Sequence, residues 1–123
     1  MTERRRRVLI VDDYPDAREM YSEYLRFSGY DVVEAGDGNE ALQRAFETSP
    51  DIILMDLSLP IMDGWEATRR LKADSRTSAI PVVVLTGRPL ADEAQGKARY
   101  DAYVTKPCLP EDLVAEIRSV LGE

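Results

Sequence analysis

The sequence contains no histidine and only one cysteine, Cys108, among its 123 residues. The lack of histidine excludes Ser-His-Asp catalysis, metal sites built on imidazole and a role as a histidine phosphocarrier. One cysteine cannot form a disulfide within the chain, and no signal peptide or membrane span is visible, so we expect a cytoplasmic protein that does not bind membranes. A glycine-rich nucleotide motif is also absent, and the net charge of −7 argues against direct binding of nucleic acid.

Four short apolar runs are present instead, and each of them ends at a residue that can take part in phosphate chemistry. The runs cover residues 8–11, 52–55, 82–85 and 102–105, and the residues that end them are Asp12-Asp13, Asp56, Thr86 and Lys106. Continuous apolar runs of this length predict strands that are buried on both faces, as in a parallel sheet. Ligands of such sheets bind at the carboxyl ends of the strands, so we expect these polar groups to form one site.

Helical segments alternate with the strands, which predicts a (βα)5 fold with helices on both faces of the sheet. A second strand over residues 30–35 is interrupted by charged residues and is expected at a sheet edge. The first predicted helix has Pro15 in its first turn and ends at Ser28-Gly29, and the second covers residues 37–47. Asp63 is expected to cap a third helix that runs to about residue 73, a weaker segment lies near 91–98, and a last helix starts at Pro110. The helical spacing predicts that Met20 and Phe46 face inward, and Tyr14 is expected to be a packing residue.

Five segments match, in order and with compatible spacing, the sequence pattern of bacterial response regulator receiver domains, which the chain therefore resembles over nearly its whole length. They are Val8-Leu9-Ile10-Val11-Asp12-Asp13, Gly38-Asn39-Glu40-Ala41-Leu42, Asp56-Leu57-Ser58-Leu59-Pro60-Ile61-Met62-Asp63-Gly64, Val84-Leu85-Thr86-Gly87 and Tyr103-Val104-Thr105-Lys106-Pro107. The resemblance implies a flavodoxin-like, doubly wound parallel sheet with strand order 2-1-3-4-5. It also implies that residues 1–123 are a single receiver domain without an output domain, similar to stand-alone chemotaxis regulators.

The resemblance implies that Asp56 is the phosphoacceptor, which takes a phosphoryl group from a histidine kinase or a histidine phosphotransfer protein and becomes an acyl phosphate. Mg2+, or Mn2+ in its place, is the implied cofactor of this two-component phosphorelay step. Asp13 and Asp56 would bind the metal directly, Asp12 would orient a bound water, and Ser58 would offer its backbone carbonyl. Such a domain catalyses only its own phosphorylation and dephosphorylation, so we expect a signalling protein rather than an enzyme.

Other matching residues are implied to surround the phosphoryl group. Lys106 would supply a positive charge and Thr86 a hydroxyl, and a cis peptide before Pro107 is expected to direct the lysine. Three further residues are expected to border the phosphoryl group and to tune its lifetime: Ser58, Gly87 and Arg88.

The resemblance also implies a switch. Phosphorylated Asp56 would draw Thr86 toward it, and Tyr103 would move into the space that Thr86 leaves. The face formed by the helix predicted near 91–98, the fifth strand and the last helix would then bind a downstream protein. The chain departs from the family at Cys108, where phenylalanine is frequent, and at Arg99-Tyr100, where Gly-Ala is frequent. Both departures concern this face rather than the phosphorylation chemistry.

Two alternatives from other functional classes stay open. One is a metal-dependent aspartyl-phosphate hydrolase, but that class needs Asp-x-Asp after its first strand, and this chain has Asp12-Asp13-Tyr14. The other is a pseudo-receiver, a binding module that works without phosphorylation. The complete set of site residues argues against it, and failure to respond to any phosphodonor would support it. Single residues also have plain structural explanations, such as Asp13 as a helix cap or Lys106 as a surface lysine.

Overall fold

Residues 5–87 and 100–123 are described by a computed structural model of the chain. They form parallel strands that alternate with helices along the chain. The elements are β1 (Arg7–Val11), α1 (Pro15–Phe27), β2 (Asp31–Ala35), α2 (Gly38–Thr48), β3 (Ile52–Asp56), α3 (Gly64–Ala73), β4 (Val82–Thr86), β5 (Ala102–Thr105) and α4 (Pro110–Leu121). The helix predicted near residues 91–98 lies outside the described residues, so α4 denotes the last helix of the chain.

The strands form one parallel sheet in the order β2-β1-β3-β4-β5, which confirms the predicted fold class and strand order. β1 and β3 are neighbours although α1, β2 and α2 separate them in sequence. The strand order therefore reverses at β1, which leaves a crevice between the ends of β1 and β3. β2 lies at an edge of the sheet, as its interrupted apolar pattern predicts.

The core has two layers, one on each face of the sheet. Successive residues of β1, β3 and β4 alternate between them, as the pleat of a strand requires. Leu9, Ile53 and Val84 pack against α2 and α3, whereas Ile10, Leu54 and Leu85 pack against α1 and α4. Because these three strands are buried on both faces, their sequences read as continuous apolar runs.

Helices α1 and α3 begin in the loops beside the crevice, and their N-termini are capped differently. Asp63 accepts a hydrogen bond from the backbone N–H of Glu66 at 2.9 Å and so caps α3, as predicted. α1 begins with Pro15, and its N-cap residue is Tyr14, which makes no side-chain capping bond. Asp13 is therefore not the cap of α1, and helix capping does not explain its presence at the end of β1.

Three packing predictions for individual side chains were wrong: Tyr14, Met20 and Phe46 are all exposed. Tyr14 precedes α1 and projects from the loop at its start. Phe46 is covered on one side by the guanidinium of Arg76, which lies 4.0 Å from the centre of its ring. No helix within residues 5–87 and 100–123 has both the length and the apolar composition that a bilayer crossing requires.

Candidate functional site

Three carboxylates meet at the crevice between β1 and β3. Asp12 and Asp13 follow β1, Asp56 ends β3, and one carboxylate oxygen from each lies within 4.8 Å of those of the other two. Asp12 is 1% exposed and Asp56 is 6% exposed, whereas Asp13 is open to solvent. Like charges at this separation repel, and burial strengthens the repulsion, so a positive charge beside the cluster would stabilise it.

Lys106 brings a positive charge into the cluster from the loop after β5. Its Nζ donates to Asp56 Oδ2 at 3.0 Å and to Asp12 Oδ2 at 3.2 Å. Burial opposes the charge on the ammonium, but the hydrogen bonds and the attraction of Asp56 and Asp12 outweigh it, and the pKa of Lys106 is raised. Lys106 is therefore fully charged at neutral pH and is not a solvated surface lysine.

The backbone of Lys106 is also fixed. Its N–H donates to the carbonyl of Thr86 at 2.7 Å, which ties the loop after β5 to the end of β4. The peptide bond between Lys106 and Pro107 is cis, as expected from the resemblance.

Asp56 is held by bonds to both of its carboxylate oxygens. Oδ1 accepts from the N–H of Ser58 at 2.9 Å, and Oδ2 accepts from Lys106. The start of α3 lies directly against this segment: the N–H of Gly64 donates to the carbonyl of Leu57 at 3.2 Å. A Cβ on Gly64 would overlap the carbonyl oxygen of Asp56 and would lie 2.8 Å from the Cα of Leu57. Glycine is therefore required here for close backbone approach rather than for a special φ angle.

Asp12 is fixed from two sides. Its Oδ1 accepts from the N–H of Tyr14 at 2.9 Å, and its carbonyl accepts from Nη1 of Arg18 at 2.8 Å. Arg18 also bonds Glu34 on β2 through Nε at 3.1 Å. Sequence reasoning did not identify Arg18, because its partners are a backbone carbonyl and a residue of a strand that is distant in sequence. The only indication in the sequence is that Arg18 lies early in the predicted first helix, six residues after Asp12.

The remaining predicted site residues lie around this cluster. Thr86 ends β4 and is buried, opposite Thr105 of β5 in the sheet register. A Cβ on Gly87 would have no heavy atom of residues 5–87 or 100–123 within 4 Å. Arg88 lies outside the described residues.

Tyr103 of β5 is 52% exposed and contacts the ring of Tyr100. Its ring centre lies 6.4 Å from that of Tyr100, which in turn lies 5.8 Å from that of Trp65 on α3. The contacts are edge-to-face or tilted, the favourable arrangements for aromatic pairs. A chain of rings thus joins the last strand to the first turn of α3, close to Gly64 and Asp56. Sequence reasoning did not anticipate this contact of Tyr100 with Trp65.

The carboxylate cluster has the chemistry of a divalent cation site. Three carboxylates carry three negative charges, and among the described residues only Lys106 offsets them directly within the cluster. Mg2+ favours a few carboxylate oxygens together with retained waters, and the exposed Asp13 leaves one side of the cluster open to solvent. The residues present therefore fit such an ion.

Comparison with known proteins agrees with this geometry. Residues 8–118 match the family model of the response regulator receiver domain. The chain is 30% identical to the chemotaxis protein CheY4 of Vibrio cholerae, with a TM-score of 0.90 over 95% of this chain and 99% of that one. It is also 30% identical to the receiver domain of the sensor histidine kinase PA1611 of Pseudomonas aeruginosa, with a TM-score of 0.88 over 98% of this chain and 100% of that one. That structure has a magnesium ion coordinated in its active site cleft.

Curated relatives are longer. The DNA-binding response regulator MtrA of Mycolicibacterium smegmatis is 42% identical over 119 residues, which are 95% of this chain and 51% of MtrA. The transcriptional regulator RpaA of Synechocystis is 40% identical over 117 residues, 94% of this chain and 48% of RpaA. The chain thus spans about half the length of these relatives. Because the family model and the relatives cover nearly all of its residues, the chain belongs to the response regulator receiver domain family.

Proposed function

We propose that this domain is a phosphoacceptor, in which Asp56 receives a phosphoryl group from a histidine kinase or a histidine phosphotransfer protein. The observation that carries the proposal is the position of the Asp56 carboxylate. It lies at the carboxyl end of the central strand, between two further carboxylates and the ammonium of Lys106. A buried carboxylate that is held on both oxygens by donors, beside a group of potential metal ligands, is suited to nucleophilic attack on phosphorus.

In the transfer, an oxygen of Asp56 forms a bond to phosphorus while the bond from phosphorus to the donor breaks. The donor atom leaves with the bonding electron pair, and the product is an acyl phosphate. Asp13, Asp56 and the backbone carbonyl of Ser58 would hold Mg2+ directly, and Asp12 would orient a water bound to it. When bound, Mg2+ would neutralise the negative charge that otherwise keeps a carboxylate from a dianionic phosphoryl group.

Lys106 and Thr86 act on the phosphoryl oxygens in this proposal. The Nζ of Lys106, which now bonds Asp56 Oδ2, would transfer its hydrogen bond to the oxygens that the phosphoryl group adds to that carboxylate. The hydroxyl of Thr86, at the end of the neighbouring strand, would donate to another of those oxygens. Ser58 follows the end of β3, and Gly87 and Arg88 follow the end of β4 in the sequence, so we propose that these three positions tune how fast the phosphoryl group is hydrolysed.

Removal or addition of Mg2+ tests the metal site through stability. Since Mg2+ would bind the folded domain and not the unfolded chain, a concentration about 100 times its Kd stabilises the fold by about 2.7 kcal/mol. We therefore expect millimolar Mg2+ to raise Tm by several degrees in a thermal melt of the wild type. Asp13→Asn should give a smaller shift, because it removes a charged ligand that is open to solvent.

A matched control for the melt is Asp16→Asn, which removes the same charge from an exposed position in the first turn of α1. It should lower Tm slightly and leave the Mg2+ shift at the wild-type size. Equal shifts in Asp13→Asn and in the wild type would contradict the proposed metal site.

Phosphorylation is proposed to act on Tyr103, and Trp65 can report it. Trp65 is the only tryptophan of the chain, and its ring is joined to that of Tyr103 through Tyr100. Beryllofluoride, a phosphoryl mimic, added with Mg2+ should change the tryptophan fluorescence along a saturable curve. The experiment measures fluorescence at increasing beryllofluoride concentration in the wild type, in Asp56→Asn and in Tyr100→Ala.

We expect no response from Asp56→Asn, because the mimic needs the phosphoacceptor carboxylate. Tyr100→Ala should still be stabilised by beryllofluoride in a thermal melt but should lose most of the fluorescence change, since the chain of rings is interrupted. An unchanged response in Asp56→Asn would mean that the mimic binds elsewhere. If beryllofluoride changed neither the fluorescence nor the Tm of the wild type, the result would favour the pseudo-receiver.

The partners of the domain follow from this proposal at the level of class. A kinase or phosphotransfer protein would bring a phosphohistidine to Asp56, and a downstream protein would bind the surface that contains β5 and α4. MtrA and RpaA are named as DNA-binding regulators, and this chain spans only about half of each. We therefore do not propose direct contact between the described residues and DNA, because the net charge of −7 of the chain argues against it.

A further inference from the structure

Tyr21 of α1 makes a buried hydrogen bond that the proposed chemistry does not use. Its side chain lies in the core layer between α1, α4 and the sheet and is 6% exposed. The Oη of Tyr21 donates to the carbonyl oxygen of Cys108 at 3.1 Å and lies 3.6 Å from Cys108 Sγ. Burial raises the pKa of the Tyr21 phenol, and the hydrogen bond to Cys108 raises it further. The hydroxyl therefore keeps its proton throughout the neutral range.

Cys108 is two residues after Lys106, at the turn between β5 and α4. Upstream of this turn, the N–H of Lys106 bonds Thr86; downstream, the carbonyl of Leu109 accepts the first bonds of α4. Within residues 5–87 and 100–123, Cys108 makes hydrogen bonds only with Tyr21, and Pro107 makes none. Tyr21 therefore fixes the middle of a segment whose two ends are fixed by the backbone.

The direction of the Lys106 side chain depends on this segment. Its Nζ must reach across from the loop after β5 to Asp56 and Asp12, at 3.0 and 3.2 Å. A hydrogen-bond donor that acts on developing charge is effective only at a set position, and displacement by a fraction of an ångström weakens it. Cys108 is partly buried against the core layer that contains Tyr21.

We infer that Tyr21 is a positioning residue for Lys106, and that its hydroxyl holds the 106–108 segment so that the ammonium meets the phosphoryl group on Asp56. The inference rests on the proposed phosphoacceptor function. It assigns to α1 a part in the phosphorylation rate. Tyr21 does not contact the phosphoryl group itself and acts only through Lys106.

Tyr21→Phe tests the inference because it removes the hydroxyl and keeps the ring. Loss of one hydrogen bond to the segment should lower the rate of phosphorylation by acetyl phosphate and Mg2+ about fivefold. The rate is followed by intact mass and is normalised to the folded fraction from urea unfolding. In a Lys106→Met background the same substitution should have no further effect on the rate, since the group that it positions is absent.

Tyr30→Phe is the matched control. Tyr30 belongs to the same core layer, is 5% exposed, and donates through its hydroxyl to Glu123 Oε1 at 3.2 Å, at the far end of the sheet from the site. Its substitution should destabilise the fold to a similar degree and leave the phosphorylation rate unchanged.

Two results would overturn the inference. One is a Tyr21→Phe rate equal to that of Tyr30→Phe, and the other is a fivefold loss that persists in the Lys106→Met background. Failure of the proposed function has a different signature, because then the wild type itself would take up no phosphate, or Asp56→Asn would take it up equally.

Discussion

Replacing Lys106 by methionine is expected to destabilise the metal-free domain by about 2 kcal/mol. Removal of one partner of a buried ion pair costs about 3–5 kcal/mol, and the 25% exposure of the Lys106 side chain reduces that figure through solvent screening. Methionine keeps the length of the apolar stem and lacks only the terminal ammonium, so the loss comes mainly from the charge and its hydrogen bonds. Asp12, which is almost fully buried, would then face Asp56 without a cation between them. Urea unfolding without metal measures the effect.

The same variant should respond more strongly to Mg2+ than the wild type does. In the wild type, the ammonium of Lys106 already offsets part of the negative charge of Asp12 and Asp56, whereas in the variant only the proposed Mg2+ would do so. Millimolar Mg2+ should therefore remove most of the stability difference between the two proteins. Phosphorylation should nevertheless stay slow, by about 100-fold, because a fixed donor to the phosphoryl oxygens is missing.

Lys72→Met is the control for this prediction. Lys72 also makes a partly buried ion pair, with Asp101 Oδ2 at 3.0 Å, and it bonds the carbonyl of Ile80 at 2.7 Å. Its replacement should cost stability that Mg2+ does not restore. A Lys106→Met domain as stable as the wild type without metal would show that the carboxylates do not need the ammonium.

Replacing Gly64 by alanine is expected to cost about 3 kcal/mol or more of folding free energy, at the upper end for an overpacked site. The added methyl group would overlap the carbonyl oxygen of Asp56 and would lie 2.8 Å from the Cα of Leu57. Both neighbours are backbone atoms, which cannot rotate away as a side chain can. Either α3 or the segment after β3 must move, and that segment carries the phosphoacceptor. Chemical denaturation gives the loss of stability, and the phosphorylation rate should fall as well.

Gly36→Ala shows what the same substitution costs without a backbone clash. The nearest atom to its added Cβ would be Nη1 of Arg18 at 3.3 Å, a side-chain atom that bonds the carbonyl of Asp12 but needs to shift by only a few tenths of an ångström. We expect a loss below about 1 kcal/mol there. Equal losses at the two positions would mean that the close approach of α3 to Asp56 does not decide the stability.

Much of the fold could be predicted because its strands are buried on both faces. Such strands leave continuous apolar runs in the sequence, and the polar residue that ends each run marks the carboxyl end of the strand. Asp12, Asp56 and Lys106 could therefore be assigned to one site before any distance was known. The confirmed strand order, by contrast, came from the resemblance, since apolar runs alone do not say which strands are neighbours.

Predictions failed where the answer depended on neighbouring elements. The helical period of α1 and α2 indicates an apolar face, but it does not say how far the next element covers the edge of that face. Met20 and Phe46 lie at such edges and are exposed. The bond from Tyr21 to Cys108 was also out of reach, because it joins residues 87 positions apart through a backbone carbonyl that carries no sequence signal.

The need for glycine at position 64 was also out of reach of the sequence alone. It comes from the close passage of α3 along the residues that follow β3, which only the folded arrangement reveals.

The most direct test of the phosphoacceptor proposal is intact-mass analysis after incubation with acetyl phosphate. The wild type and Asp56→Asn would be compared, each with Mg2+ and with the metal removed by a chelator, under rapid quench. We predict one added phosphoryl group in the wild type with Mg2+ and none in the other three samples. No adduct in any sample, together with no binding of beryllofluoride, would contradict the proposal and would identify the domain as a receiver that works without phosphorylation.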